Sequence, residues 1–202
     1  MSTAKQRVRT RLDADVRREQ ILEEAMRIIS QNGYNGFSIQ ELAQQCGLTN
    51  AGLLYYFGSK ERLLIALLED RDRRDKAAVR AMAGLTAPRE SYKHMSVEET
   101  LKVFRVMVKR NTTQPELIRL YTVLRSESLN EDHPAREFFA AREAYVLKSF
   151  HAMVAHLVQH PRSTARHLMA LMTGLQEQWL RNDHEFDMVA EWDRGAALLL
   201  QR

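Results

Sequence analysis

Between two helical stretches the chain reads Cys46-Gly47-Leu48-Thr49-Asn50-Ala51-Gly52, residue types whose spacing suits the reading of DNA bases. Gly47 permits a tight turn with positive φ. Thr49 brings the hydroxyl of a helix N-cap, so Asn50, Ala51 and Gly52 fall in the first turn of a short helix. Small residues there let a backbone approach DNA. Asn can pair with adenine through two hydrogen bonds, and Thr can bond a base or touch a thymine methyl. The free N–H groups of a helix start also attract phosphate. Upstream, Ser38 opens a helix and Glu41 follows three residues later, the pattern of a capping box, with Leu42 and Ala43 on its apolar face. Helix, glycine turn and short helix together form a helix-turn-helix, in which the first helix braces the second in the major groove.

Other helices must hold this pair. Asp13 or Asp15 is expected to cap a first helix, whose Ile21, Leu22, Ala25, Ile28 and Ile29 recur at three- and four-residue steps, and Gly33 ends it. Gly58 breaks the third helix. Ser59 caps a fourth that buries Leu63, Leu64, Leu67 and Leu68. Its charged continuation, Glu69 to Arg80, reads as a solvated connecting helix, and Gly84 to Lys93, with Pro88, as a joint. Helical patterns then continue: Ser96 with Glu99 as a second capping box, Pro115 near a helix start, Asp132 and Pro134 opening a long helix, Pro161 and Ser163 restarting the chain, and Asp187 capping the last helix. The count is about nine, with no strand signal. The fold class expected is all-α: an N-terminal three-helix helix-turn-helix DNA-binding domain and a C-terminal helical bundle for dimerisation and effector binding.

Composition agrees. Hydrophobic residues make up 45% of the 202, enough for a core, while 8 glycines and 4 prolines leave room for long helices. The net charge of +4 permits a nucleic-acid partner, and Lys5, Arg7, Arg9 and Arg11 form a basic stretch that is either a solvated tail or an arm meeting phosphates. The single Cys46 excludes an internal disulfide and fits a reducing compartment. With no signal-like segment and no apolar run near the roughly 20 residues that span a bilayer, a cytoplasmic protein off the membrane is expected.

Gly33-Tyr34, Gly36-Phe37-Ser38-Ile39, Leu42-Ala43, Cys46-Gly47-Leu48-Thr49, Gly52-Leu53-Leu54-Tyr55-Tyr56-Phe57, Ser59-Lys60-Glu61 and Leu63-Leu64 occur in order, and together they resemble the N-terminal signature of the TetR family of transcriptional regulators. The resemblance covers about residues 16–65. It implies an all-helical homodimer that binds a palindromic double-stranded DNA operator, and a small-molecule effector that usually lowers DNA affinity. By position, Ser38 resembles a phosphate-contacting cap and Thr49 to Gly52 the groove-facing start of the recognition helix. Tyr55 and Tyr56 resemble the aromatic pair near its end, although core-edge packing is the other reading for each. Lys60 resembles a phosphate-binding lysine. Ser38 to Gly58 contains no Lys or Arg, so phosphate affinity leans on Lys60 and the basic arm.

The organisation expected is therefore a basic arm (1–15), a helix-turn-helix domain (16–65) and a helical ligand-binding and dimerisation domain (66–202). Phe104, Met107, Tyr121, Leu124, Met172, Gln176 and Trp179 are candidate pocket residues, though core packing explains the first four as well. Met169, Leu175, Trp192, Gly195 and Leu199 are candidate dimer contacts; Trp179 is either an interface anchor or a pocket cover. Gly195 inside a helix hints at close helix approach. Cys46 reads as a buried turn residue rather than a redox thiol, and His156 and His160 as solvated or interface residues rather than metal ligands. No phosphate-cradling loop, nucleophile elbow or metal-ligand cluster is found, so neither an enzyme, nor a cofactor, nor a metal is expected. The alternative function is a DNA-binding adaptor whose C-terminal domain binds a protein.

Overall fold

The computed structural model describes the backbone over residues 3–84 and 94–201, and side chains within those ranges from Ala14 onward. The side chains of Lys5, Arg7, Arg9 and Arg11, and the joint around Pro88, lie outside the described residues. Nine helices are present among the described residues: α1 (Thr3–Gly36), α2 (Ile39–Gln45), α3 (Asn50–Phe57), α4 (Lys60–Met82), α5 (Val97–Thr112), α6 (Pro115–Glu127), α7 (Arg136–Val154), α8 (Pro161–Arg181) and α9 (Met188–Leu200). None of them is long and apolar enough to cross a membrane.

Local chemistry sets most boundaries. Ser38, Thr49 and Ser59 each accept a hydrogen bond from the N–H three residues on, at 3.1, 3.0 and 3.2 Å. At Ser96 the box is reciprocal: Glu99 N–H donates to Ser96 Oγ and Ser96 N–H to the Glu99 carboxylate. At Ser38 only the first of these bonds forms, so the box expected with Glu41 is half built. Asp187 caps α9 by accepting from the N–H groups of Val189 and Ala190. Pro115 and Pro161 occupy the first turns of α6 and α8, where a missing N–H costs nothing.

Three expectations are corrected. The first helix starts at Thr3, so Asp13 and Asp15 lie inside it instead of capping it, and the backbone runs as helix through residues 3–15. The long seventh helix starts at Arg136, after Asp132 and Pro134 have formed turns. The charged run of α4 is not a solvated connector. Asp70 is 7% exposed and pairs with Arg73 and with Arg74 Nε at 2.7 Å. Arg71 and Arg74 reach Glu23 and Glu19 of α1, at 2.5 and 3.1 Å. On its other side α4 pairs Asp72 with Arg142 of α7 at 2.9 Å and Asp75 with Arg110 of α5 at 2.6 Å. The partners come from three other helices, which sequence spacing along α4 does not reveal.

Gly33 interrupts α1 with φ 70° and ψ 178°, a region essentially restricted to glycine. The carboxylate of Glu127, from α6, fills the space where a side chain would be, and accepts the Tyr34 N–H at 2.9 Å. Ser30 Oγ donates to Glu116 of the same helix at 2.7 Å. One hydrophobic core joins α1 to α4 with Leu120 and Leu124 of α6 and with Ala135 and Phe139. Leu120 and Leu124 are fully buried there, each worth roughly 1.5–3 kcal/mol of apolar burial. A second core gathers α5, α8, α9 and the end of α7 around Phe104, Phe150, Leu168 and Trp192.

Candidate nucleic-acid interface and effector cavity

The short helix α3 presents its first turn outward. Thr49, Asn50 and Ala51 are exposed, while Gly52 is half-buried because its N–H is held by Thr49 Oγ1. Ser38, at the start of α2, is exposed too. Leu53 and Phe57, on the opposite face of α3, enter the core and fix its orientation. Tyr55 is 88% exposed, so core packing does not explain it. Tyr56 is half-buried against the core, with its ring edge-on to Tyr55 at 5.8 Å. The helix therefore exposes one polar edge ending in an unpacked phenol.

Lys60 sits differently from a solvent-directed lysine. Its Nζ lies 4.4 Å from the Tyr34 ring centre and 4.9 Å from that of Phe37, a cation–π arrangement. Burial pulls its pKa below the ordinary lysine value. Burial and the hydrogen bond to Glu61 push the Tyr34 phenol up to about 12, so it stays a donor. Arg18 of α1 lies over Phe57 at 4.9 Å, bringing a cation to the end of α3 that the motif itself does not predict. Arg62 is exposed beside Gly58. Cys46 is a half-buried free thiol whose pKa is pushed up, first by burial, the opposite of what a reactive thiolate needs.

The second site is a cavity of about 240 Å³ between α4, α5, α6, α7 and α8. Of the seven expected pocket residues, Met107, Tyr121, Met172 and Gln176 line it. Phe104, Leu124 and Trp179 do not, and these three are corrected. Phe104 is fully buried and packs its ring on Phe150 at 4.8 Å and Trp192 at 5.6 Å. Leu124 points into the first core. Trp179 stacks on His184 at 4.0 Å. The residues missed include every charged one: Asp72, Asp75, Lys76, Arg80, Arg125, Arg142 and Glu143 all line the cavity. Tyr121 closes it toward α4 by donating its hydroxyl to the Leu68 carbonyl at 3.3 Å, while the Arg142 guanidinium covers its ring at 4.6 Å.

The expected dimer contacts are dispersed. Trp192 is fully buried beside Phe104 and is a core residue, which corrects its placement on a surface. Met169 lines the cavity. Gly195 meets α8: a Cβ there would lie 2.7 Å from Leu171 Cδ2, the close approach its place in a helix suggested. Leu175 and Leu199 are partly buried beside the second core, and Leu198, not foreseen, is 68% exposed. His156 Nε2 lies 2.6 Å from the Met95 carbonyl, and no cluster of three metal-ligating side chains occurs among the described residues.

Comparison with known proteins matches residues 21–67 to the family model described as bacterial regulatory proteins, tetR family. The transcriptional regulator BetI of Rhizobium meliloti is 30% identical over 123 residues, 60% of this chain and 56% of that protein. The transcriptional repressor AcnR of Corynebacterium glutamicum is 31% identical over 86 residues, 40% of this chain and 46% of that protein. The matched part thus spans about half the length of these two relatives. The crystal structure of the transcriptional regulator FadR from Bacillus subtilis, in complex with stearoyl-CoA, shares the fold at a TM-score of 0.70 and 18% identity, over 91% of this chain and 97% of that one. The matched segment contains the capped α2–α3 pair and its brace on α1 and α4; it is similar to the tetR family of bacterial regulatory proteins, and the chain shares the fold of FadR along nearly its whole length.

Proposed function

We propose that the protein is a one-component transcriptional repressor. As a homodimer it lays α3 of each protomer in the major groove of a palindromic operator, and a small effector in the cavity lowers its affinity. The observation that carries this reading is a single helix with two working faces. On one face of α6, Tyr121 and Arg125 line the cavity. On the other, Leu120, Leu124, Glu116 and Glu127 are fastened to α1. An effector that displaces α6 carries α1 with it, and α1 braces α2 and α3. The ligand acts as a bias between two arrangements. Ser38, Thr49, Asn50, Ala51, Gly52 and Tyr55 form the proposed DNA-facing edge, with Tyr56, Lys60 and Arg18 behind it. Leu175, Leu198 and Leu199, on the outer sides of α8 and α9, form the proposed dimer surface. The repressor name of AcnR and the stearoyl-CoA complex of FadR support the repressor and effector parts. The size of the cavity suits a small molecule and gives the adaptor alternative less support.

The test is selection of bound fragments from random genomic DNA, followed by a salt titration. Recovery of a shared palindrome, bound two protomers at a time and more weakly as salt rises, is the expected result. Binding without a shared sequence, or affinity unchanged by Asn50→Ala combined with Tyr55→Ala, overturns the assignment of α3.

A further inference from the structure

We infer that the cavity takes a small organic carboxylate with an apolar body, seated on the guanidinium of Arg125. This rests on the effector reading above and names the class of molecule. The body of the cavity is apolar and adaptable: Met107, Met153, Met169 and Met172 line it with Ile118 and Phe150, and thioether side chains repack readily around a guest.

The charged part is unevenly satisfied. Asp72 is held by Arg142 at 2.9 Å and by Lys76 at 2.6 Å, and Asp75 by Arg110 at 2.6 Å. Among the half-buried charges of the lining Arg125 is the exception. It is half-buried and lines the cavity, yet among the described residues no carboxylate oxygen lies within 4.0 Å of it. Glu177 and Glu143 act on it only from farther away, while Arg142 adds a like charge. Burial, reinforced by Arg142, pulls its pKa below the ordinary arginine value. A half-buried cation beside a second cation is costly until an anion joins it. A guanidinium fork matches the planar, two-oxygen face of a carboxylate.

The charge count favours an anion. Lys76, Arg80, Arg125 and Arg142 line the cavity against Asp72, Asp75 and Glu143, and Asp75 is already paired with Arg110 from outside the lining, so the surplus is positive. A phosphate dianion would bring a second negative charge against those three carboxylates. The volume of about 240 Å³ suits a small organic guest.

The experiment uses the full-length protein. Straight-chain carboxylates from butanoate to decanoate, and benzoate, are each compared with the corresponding primary amide by calorimetry and thermal shift, and by release of the protein's selected DNA. The expected result is saturable binding of at least one carboxylate, with its amide and Arg125→Gln each weakening binding by about 10–100-fold. Arg125→Lys, which keeps the charge and loses the fork, falls between. Unchanged melting in the absence of ligand shows that the variants fold. Equal binding of acid and amide, retention of binding by Arg125→Gln, or binding of none of the acids overturns the inference. If amides bind and release DNA, the effector reading survives and the carboxylate assignment fails. If a carboxylate binds through Arg125 without changing DNA affinity, the assignment survives and the effector reading fails.

Discussion

Replacing Gly33 with alanine tests whether α1 and α6 are locked together at one point. Two costs arise. The backbone at φ 70° and ψ 178° is strained for any side chain, by about 1–3 kcal/mol. The new Cβ would lie 2.2 Å from Glu127 Oε1, so the carboxylate must leave. It then ceases to accept the Tyr34 N–H. A hydrogen bond to a charged acceptor is worth about 1.5–3 kcal/mol net, which we discount to about 1–2 kcal/mol because the Glu127 side chain is 25% exposed. Gly33→Ala should therefore destabilise by roughly 2–5 kcal/mol. At about 2–4 °C per kcal/mol for a chain of this size, melting falls by at least several degrees. Glu127→Ala alone loses the hydrogen bond, about 1–2 kcal/mol, together with the carboxylate's 3.7 Å approach to His133. With Glu127 already truncated, Gly33→Ala costs only the backbone strain. Urea unfolding of the wild type, both single variants and the double variant should thus give a coupling of about 1–2 kcal/mol, with the double variant close to Gly33→Ala. Additivity within about 0.5 kcal/mol, as for sites that do not touch, refutes this account of the joint.

Thr49→Ala removes the acceptor of the Gly52 N–H; a loss of about 1 kcal/mol is expected in urea melts, together with weaker DNA binding than that of a stability-matched core variant. Tyr55→Ala, at an 88% exposed ring, should leave stability within about 0.5 kcal/mol and weaken operator binding several-fold in an anisotropy titration, if α3 is the reading helix. His133 is buried, and burial holds its pKa below the ordinary histidine value. As pH falls through about 6.5 the unfolded chain takes up a proton that the folded chain does not, so folding stability declines on acidification. Unfolding midpoints measured between about pH 7.5 and 5 should show this decline, and His133→Gln should flatten it.

Sequence is most informative where a residue acts on its own backbone. Ser38, Thr49, Ser59, Ser96 and Asp187 each cap a helix within three residues of themselves, so the α2–α3 pair and its exposed first turn are legible without coordinates. It informs less where partners are distant in the chain. The α4 charges look solvated until Glu19, Glu23, Arg110 and Arg142 are brought beside them. The cavity was half legible for a geometric reason. Successive helix positions are about 100° apart, so on α6 Leu120 and Leu124 face the core while Tyr121 and Arg125, each one position on, face the cavity. Arg125 was overlooked because an arginine in a helical pattern reads as surface. Lys60 carries the residue type that phosphate needs, but its ammonium rests on Tyr34 and Phe37, which spacing alone cannot tell.

The core that holds α1 to α4 is completed by Leu120, Leu124, Ala135 and Phe139, residues well beyond the point where the family signature ends. The α1–α4 unit is therefore not a detachable module. A chimera that keeps this chain up to Ile65 and borrows the remainder from a distant relative would present Leu63, Leu64 and their neighbours to a foreign wall, and would lose the Glu127 plug at Gly33. If α3 reads DNA as proposed, specificity is better exchanged by replacing its few outward residues than by recombining whole domains. Drift in α6 must stay in step with α1.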